Sequence, residues 1–222
     1  MEWFSAVLNS TCAFCQMPTG KTPMLCQSCA KWATALETAS PHLQTILGEF
    51  GGLEVLSLGA YEGWLKDVIL NHKQNPHPFV ARWLAKRIHS LMQELLPNSH
   101  LIWVPGNYLA PLHLIDGIVA ALEETSTHVE QHIRLSRKLW HTSKNQKLRS
   151  KQERKKLVEK PSFNLHYRKA NSQTNKTTTV LFDDVVTTGS TLLGCKILIE
   201  NKTGKGVEIP LGLTLAYTPF LH

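Results

Sequence analysis

Apolar positions recur along the chain with two periods, and their alternation sets the fold expectation. Phe79, Val80, Trp83, Leu84, Ile88, Leu91, Met92 and Leu95 stand three or four residues apart, with Pro97 after the last, which predicts an amphipathic helix facing a core. Short apolar runs instead predict strands at residues 53–60, 101–104, 178–182 and 207–217. Helix-like segments fall between them at 61–71, 112–124 and 192–201. Residues 32–50 read as a further helix interrupted near Pro41, and Gly48, Gly51 and Gly52 punctuate the passage into the first strand. Strands alternating with helices predict an α/β domain built on a parallel sheet. The stretch from about 134 to 176 is polar, basic and poor in apolar periodicity, and is expected to form a hood or mobile loop.

The most informative segment is 180–191, VLFDDVVTTGST. Val180, Leu181 and Phe182 suit a buried parallel strand, so Asp183 and Asp184 emerge at its carboxyl end, where open α/β sheets bind ligands. Thr187, Thr188, Gly189, Ser190 and Thr191 then offer hydroxyls, backbone N–H groups and a permissive glycine ahead of a helix N-terminus, a combination that suits an anion. The plainer alternative, a strand ending in a solvated Asp-Asp turn, accounts for neither the paired acids nor the loop chemistry after them.

Four of the five cysteines, Cys12, Cys15, Cys26 and Cys29, form a C-x2-C-x10-C-x2-C array. Two such knuckles can close a tetrahedral four-thiolate zinc site with no open position, hence a structural role, and metal binding would fold a segment too short for its own core. Disulfides and an iron–sulfur cluster are the alternatives. Cys195, in the helix after the Thr187–Thr191 loop, reads as a small buried residue rather than a reactive thiol.

Composition adds two constraints. With 222 residues, 42% of them hydrophobic, the chain can bury one sizeable core and a small appendage. The N-terminal stretch lacks a basic region followed by a long apolar run, and no segment has the roughly 18 apolar residues of a membrane span, so a soluble cytoplasmic protein without membrane insertion is expected. The net charge is +7, yet eleven Lys/Arg against two Glu between Arg134 and Lys160 more than account for it. Conversely, neither Lys nor Arg occurs from Ile88 to Ile133.

The 180–191 segment resembles the phosphoribosyl pyrophosphate (PRPP) signature of type I phosphoribosyltransferases. In that family the acid pair holds the ribose hydroxyls, directly or through Mg²⁺, and the loop cradles the 5′-phosphate. The resemblance assigns those roles to Asp183 and Asp184, and to Thr187, Thr188, Gly189, Ser190 and Thr191. A four-cysteine module ahead of such a domain, with a basic segment before the signature, resembles the competence protein F (ComF, or GntX-type) family. Its Y-x-G followed by a helix and Lys matches Tyr61, Gly63 and Lys73; its strand ending in V-P matches Val104 and Pro105; its later T-x-x-Q with a downstream E-R matches Ser143, Gln146, Glu153 and Arg154, and its aromatic matches Phe163.

Two departures stand out. The family's basic stretch and R-G-F-N-Q motif after V-P are replaced by GNYLAPLHLIDG, and the Asn three residues after the E-R arginine is Leu157. A pyrophosphate needs concentrated positive charge or a metal, which Asn107 and Tyr108 do not supply, so Mg²⁺ or Lys73 reaching in from another loop is expected to carry that load.

The expected architecture is therefore a type I phosphoribosyltransferase-like α/β domain at 51–222, with a zinc-binding module and linking helix at 1–50. The resemblance implies PRPP binding with Mg²⁺ and a role in natural transformation, handling incoming single-stranded DNA beside competence proteins. Transfer to an unidentified acceptor is the enzymatic alternative; His113 and His141 are general-base candidates by residue type alone. Arg137, Lys138, Lys144, Lys147, Arg149 and Arg154 around Trp140 pair phosphate-neutralising charge with a stacking platform, against the alternative of a solvated basic face. The cysteine module can also be read as a docking surface for a protein partner.

Overall fold

Strands buried on both faces organise the molecule. The computed structural model describes residues 10–20, 25–38, 40–46, 53–73, 76–105, 113–125, 133–137, 163–167, 178–203 and 207–219. In chain order, β1 (Ser10–Thr11) and β2 (Pro18–Gly20) form a short antiparallel pair, followed by α1 (Gln27–Thr38), β3 (His42–Ile46) and β4 (Leu53–Ala60). Next come α2 (Gly63–His72), α3 (Pro78–Leu95), β5 (Ser99–Trp103) and α4 (Leu114–Thr125). The strands β6 (Ile133–Arg137) and β7 (Phe163–Tyr167) pair antiparallel, and β8 (Thr178–Val186), α5 (Ser190–Thr203) and β9 (Glu208–Tyr217) close the order.

The main sheet runs β3-β4-β9-β8-β5. Its four strands β4, β9, β8 and β5 are parallel, and β3 joins the β4 edge antiparallel. Parallel neighbours need a crossover, and α5 supplies the one between β8 and β9. Helices cover both faces, which explains why these strands read as continuous apolar runs rather than alternating ones. Leu101, Val180, Phe182, Leu213 and Leu215 pack with α2, α3 and α4 residues such as Val68, Leu84, Ile88 and Ile118. Their neighbours Ile102 and Leu181 point to the opposite face and join Val55, Leu192, Cys195 and Ile199. Cys195 is fully buried there, as expected of a small core residue.

The α3 stripe is largely core: Val80, Ala81, Leu84, Ala85, Ile88, Leu91 and Met92 are buried. Leu95 is 44% exposed instead, because it stands in the last turn where the helix leaves the core. Pro78 in the first turn and the His77 ring, which accepts from the Phe79 N–H, fix where this helix starts.

Two local expectations change. The helix expected over 32–50 is instead α1 ending at Thr38, with residues 42–46 paired to β4 as an edge strand. Pro41 disfavours helix in the residue before it and lacks the N–H a helix needs, leaving the next five residues to pair. The polar stretch from 134 contributes β6 and β7, whose Leu135 and Phe163 pack on the α5 face of the sheet. Among the described residues, no helix is long and apolar enough to cross a membrane.

Phe182 is fully buried at the centre of β8. Phe182→Ala is expected to lower stability by about 3–5 kcal/mol, through lost burial and a residual cavity. Urea unfolding of the variant against the wild type measures it.

Candidate functional site

The central strand delivers the acid pair. On one side of β8, pairing with β5 ends at Trp103↔Phe182, and the last bond is Val104 N–H donating to the Phe182 carbonyl at 2.8 Å. On the other side β8 continues against β9, with Asp183 opposite Thr214 and Val185 opposite Ala216. The strand expected to stop at residue 182 thus runs on to Val186 along one edge only. Asp183 and Asp184 lie in that overhang, held straight by β9 and unpaired toward β5. Alternation along the strand places Asp184 on the face shared by Val180 and Phe182, which is the side of α2.

Lys73 closes α2 and meets Asp184 there: its Nζ lies 2.5 Å from Oδ2 of Asp184. The Asp184 side chain is 11% exposed and that of Lys73 41%. The other carboxylate oxygen, Oδ1, accepts from the Val185 N–H at 2.8 Å, and Asp183 Oδ1 accepts from the Asp184 N–H at 2.9 Å. Burial pushes the Asp183 carboxyl well above the ordinary carboxylate range and the Asp184 charge adds to it, with Lys73 opposing. Burial alone would depress Lys73, but Asp184, Asp183 and Tyr61 outweigh it and its ammonium is held above the usual lysine value. Tyr61 completes the cluster; desolvation raises its phenol, Lys73 lowers it and Asp184 raises it again.

The turn after the acids leads into a helix. Gly189 has φ 70°, a left-handed conformation that glycine adopts without a steric cost, and its carbonyl accepts from the Leu193 N–H to open α5. The N–H groups of Ser190, Thr191 and Leu192 therefore have no carbonyl partner within the helix and stand at its positive end. Thr188 Oγ1 and Ser190 Oγ are 2.8 Å apart, Thr187 and Thr188 are exposed, and Ser190 is buried. Gly63, at the start of α2, also has a positive φ of 48°. The glycine of the Tyr61–Gly63 motif is thus needed for the backbone that launches the helix carrying Lys73.

Cys12, Cys15, Cys26 and Cys29 converge with all four sulfurs within 4.8 Å of one another, and none forms a disulfide. The Cys15 and Cys26 sulfurs are 3.8 Å apart. Four thiolates around a tetrahedral ion, with metal–sulfur bonds of about 2.3 Å, would stand about 3.8 Å apart, so the cluster can hold one metal ion. Gln16, at φ 61°, turns the first knuckle, whose Cys12 carbonyl accepts from the Gln16 N–H. Burial raises the Cys12 thiol, but N–H groups of Cys15, Cys26 and Phe14 outweigh it and leave it at about 7. Burial pushes Cys15 and Cys29 up. The Cys12 thiolate therefore forms readily, whereas Cys15 and Cys29 resist ionisation, and a bound cation would offset that cost.

This cage does not stand apart from the sheet domain. Phe14, fully buried, meets Trp64 and Trp83 edge-on at ring separations of 5.1 and 5.3 Å. The Trp83 indole N–H donates to Glu37 of α1 at 2.9 Å. The first knuckle is thereby packed against α2 and α3.

Of the residues proposed to meet nucleic acid, only Arg137 lies in a described segment, as the last residue of β6 opposite Phe163. Lys138, Trp140, Lys144, Lys147, Arg149 and Arg154 lie outside the described residues, as do Gly106 to Leu112. His113 is buried at the start of α4, next to Lys73 through its neighbour Leu114, and His141 lies outside the described residues. The pairing of Lys73 with Asp184 was signalled only by the Tyr61–Gly63–Lys73 motif, and His72 carried no sequence signal at all.

No family model matches the chain, and the search of curated proteins finds no similar one.

The two carboxylates are expected to respond oppositely to neutralisation. Because Asp183 has its folded-state value raised, the folded chain binds more protons than the unfolded one above the ordinary aspartate value. Its contribution is therefore lost as pH rises through the folded value. Asp183→Asn should make the protein more stable at neutral pH, whereas Asp184→Asn removes the partner of Lys73 and should cost about 1 kcal/mol. Urea unfolding of both variants between pH 4 and pH 8 separates them. Stripping the metal with a strong chelator should lower the melting temperature of the wild type, and re-addition of Zn²⁺ should restore it.

Proposed function

We propose that the chain is a ComF-type protein of natural competence. Its type I phosphoribosyltransferase-like domain binds PRPP with Mg²⁺, its cysteine module holds structural zinc, and its basic segment handles incoming single-stranded DNA in the cytoplasm. The observation that carries this reading is the overhang of β8, where Asp183 and Asp184 extend past the pairing with β5, Asp184 pairs with Lys73, and the strand runs directly into the Thr187–Thr191 turn and the α5 N-terminus. A sugar carrying both vicinal hydroxyls and phosphates meets complementary groups at each point: carboxylates for the hydroxyls, backbone N–H groups for the 5′-phosphate and an ammonium for the remaining charge. Ribose hydroxyls or a divalent cation would also relieve the unfavourable proximity of the two acids.

Zinc suits the cage better than other ions because four thiolates in a closed tetrahedral arrangement are its common structural environment. Mg²⁺ is a hard cation served by carboxylates and phosphates, and Asp183 and Asp184 are the residues that would hold it. When bound it would neutralise pyrophosphate charge, the load that the neutral 104–112 stretch leaves unmet.

A second reading is supported by Lys73. With a cation at the acid pair, the site retains the charge needed to displace pyrophosphate from the anomeric carbon by an acceptor nucleophile. Asp183 and Asp184 would fix the ribose and stabilise developing positive charge there, and the loop would anchor the 5′-phosphate. The two readings part on turnover: steady pyrophosphate release from Mg²⁺-PRPP supports transfer, and binding without release supports a sensing or scaffolding role.

DNA handling makes its own prediction. Affinity for a labelled oligothymidine should fall steeply with salt, as phosphate neutralisation requires, and Trp140→Ala should weaken it by about fivefold or more through loss of base stacking. Fluorescence anisotropy over a salt series tests both. Salt-independent binding, or none at low salt, would remove the DNA role.

A further inference from the structure

We propose that His72 is a positioning residue through which the cysteine knuckle holds Lys73 against Asp184. The inference rests on the reading of Lys73 and Asp184 as part of the ligand site, and it adds what sets that site's geometry.

His72 is the last residue of α2 and is 1% exposed. Its Nε2 lies 3.0 Å from the carbonyl oxygen of Phe14, and its Nδ1 accepts from the His77 N–H at 3.2 Å. A carbonyl can only accept and a backbone N–H can only donate, so the hydrogen sits on Nε2 and Nδ1 is bare. One ring thus ties together three segments: the Cys12–Cys15 knuckle through Phe14, the end of α2, and the residue that caps α3. The next residue is Lys73, whose own carbonyl accepts from the Leu114 N–H of α4 at 3.1 Å. Its backbone is fixed from both sides, leaving the side chain aimed at Asp184.

The knuckle supplies the remaining leverage. Phe14 lies between Cys12 and Cys15, and its carbonyl direction is set by a turn closed by the bonds Cys12 N–H to Met17 and Gln16 N–H to Cys12, both 2.8 Å. A metal on the two flanking sulfurs makes that turn rigid. Gln16 adds a weaker tie from the same turn, donating its amide to the Asn71 carbonyl at 3.5 Å. Without the metal the turn can relax, the Phe14 carbonyl leaves the imidazole, and the end of α2 loses the contact that orients Lys73. A half-exposed lysine held by one ion pair is the element with least to retain it.

The test reads Lys73 directly and needs no PRPP, so its failure is separable from a failure of PRPP to bind. The full chain, loaded with Zn²⁺, is acetylated with limiting acetic anhydride, and the labelling rate of each lysine is followed by peptide mass spectrometry. Lys196 on α5, with a side chain 24% exposed and 3.8 Å from Glu200, serves as the internal reference on the opposite face of the sheet. Chelation of the metal is expected to raise the Lys73 rate about fivefold while Lys196 is unchanged. His72→Ala in the Zn²⁺-loaded chain should do the same, and His72→Gln, which keeps an N–H donor toward the Phe14 carbonyl, should restore most of the protection. An unchanged Lys73 rate after chelation or in His72→Ala overturns the proposal. So does a rise shared equally by Lys196, which would mean general unfolding, or a His72→Gln variant indistinguishable from His72→Ala.

Discussion

The ion pair between Lys73 and Asp184 is the interaction on which the candidate site depends. Strand β8 is buried on both faces and ends by thrusting two adjacent carboxylates past the last bond to β5, where burial disfavours the charge of Asp183. An uncompensated pair there would be costly, and a cation from another element is the remedy that the fold provides. Position decides its value: the same lysine on a solvated face would contribute little, whereas here it pairs with the nearly buried Asp184 and opposes the burial that drives Asp183 toward its neutral form. A ligand that brings hydroxyls or a divalent cation meets two adjacent carboxyl groups, that of Asp183 held toward its neutral form, with an ammonium at hand for its phosphates.

That arrangement was only partly legible in the sequence. The strand and turn of 178–191, the α3 stripe and the cysteine array are local patterns, and local patterns survive translation into structure because period and spacing decide them. The short edge strand at 42–46 was hidden, since five residues after a proline carry too little periodicity to outweigh a neighbouring helix, and only β4 as a partner makes them a strand. The meeting of Lys73 with Asp184 could not be read from spacing either: it follows from the sheet order, which sets the end of α2 beside the end of β8 although long segments separate them in the chain. His72 is the clearest case. A lone histidine at the end of a helix has no pattern, and its importance comes entirely from a carbonyl contributed by the cysteine knuckle.

The same contacts change how the cysteine segment is understood. A short metal-held segment need not be a separate appendage. Here Phe14 enters the apolar cluster of α2, α3 and α4, and the tryptophans around it carry both packing and polar contacts. Metal binding would therefore stabilise the packing of Phe14 on α2 and α3 as well as its own loop, which gives a structural ion a bearing on the helix that carries Lys73 without any chemistry of its own. The absence of Lys and Arg from the 104–112 sequence fits the same logic, because the cation that meets Asp184 is delivered from the end of α2.

The most direct measurement is calorimetric titration of PRPP with Mg²⁺ into the wild type and into the Asp183→Asn/Asp184→Asn double variant. Saturable, Mg²⁺-dependent heat from the wild type and its loss in the double variant is the predicted result. Absence of binding to a correctly folded wild type, or equal binding by both proteins, would contradict the assignment of the β8 overhang as a sugar-phosphate site.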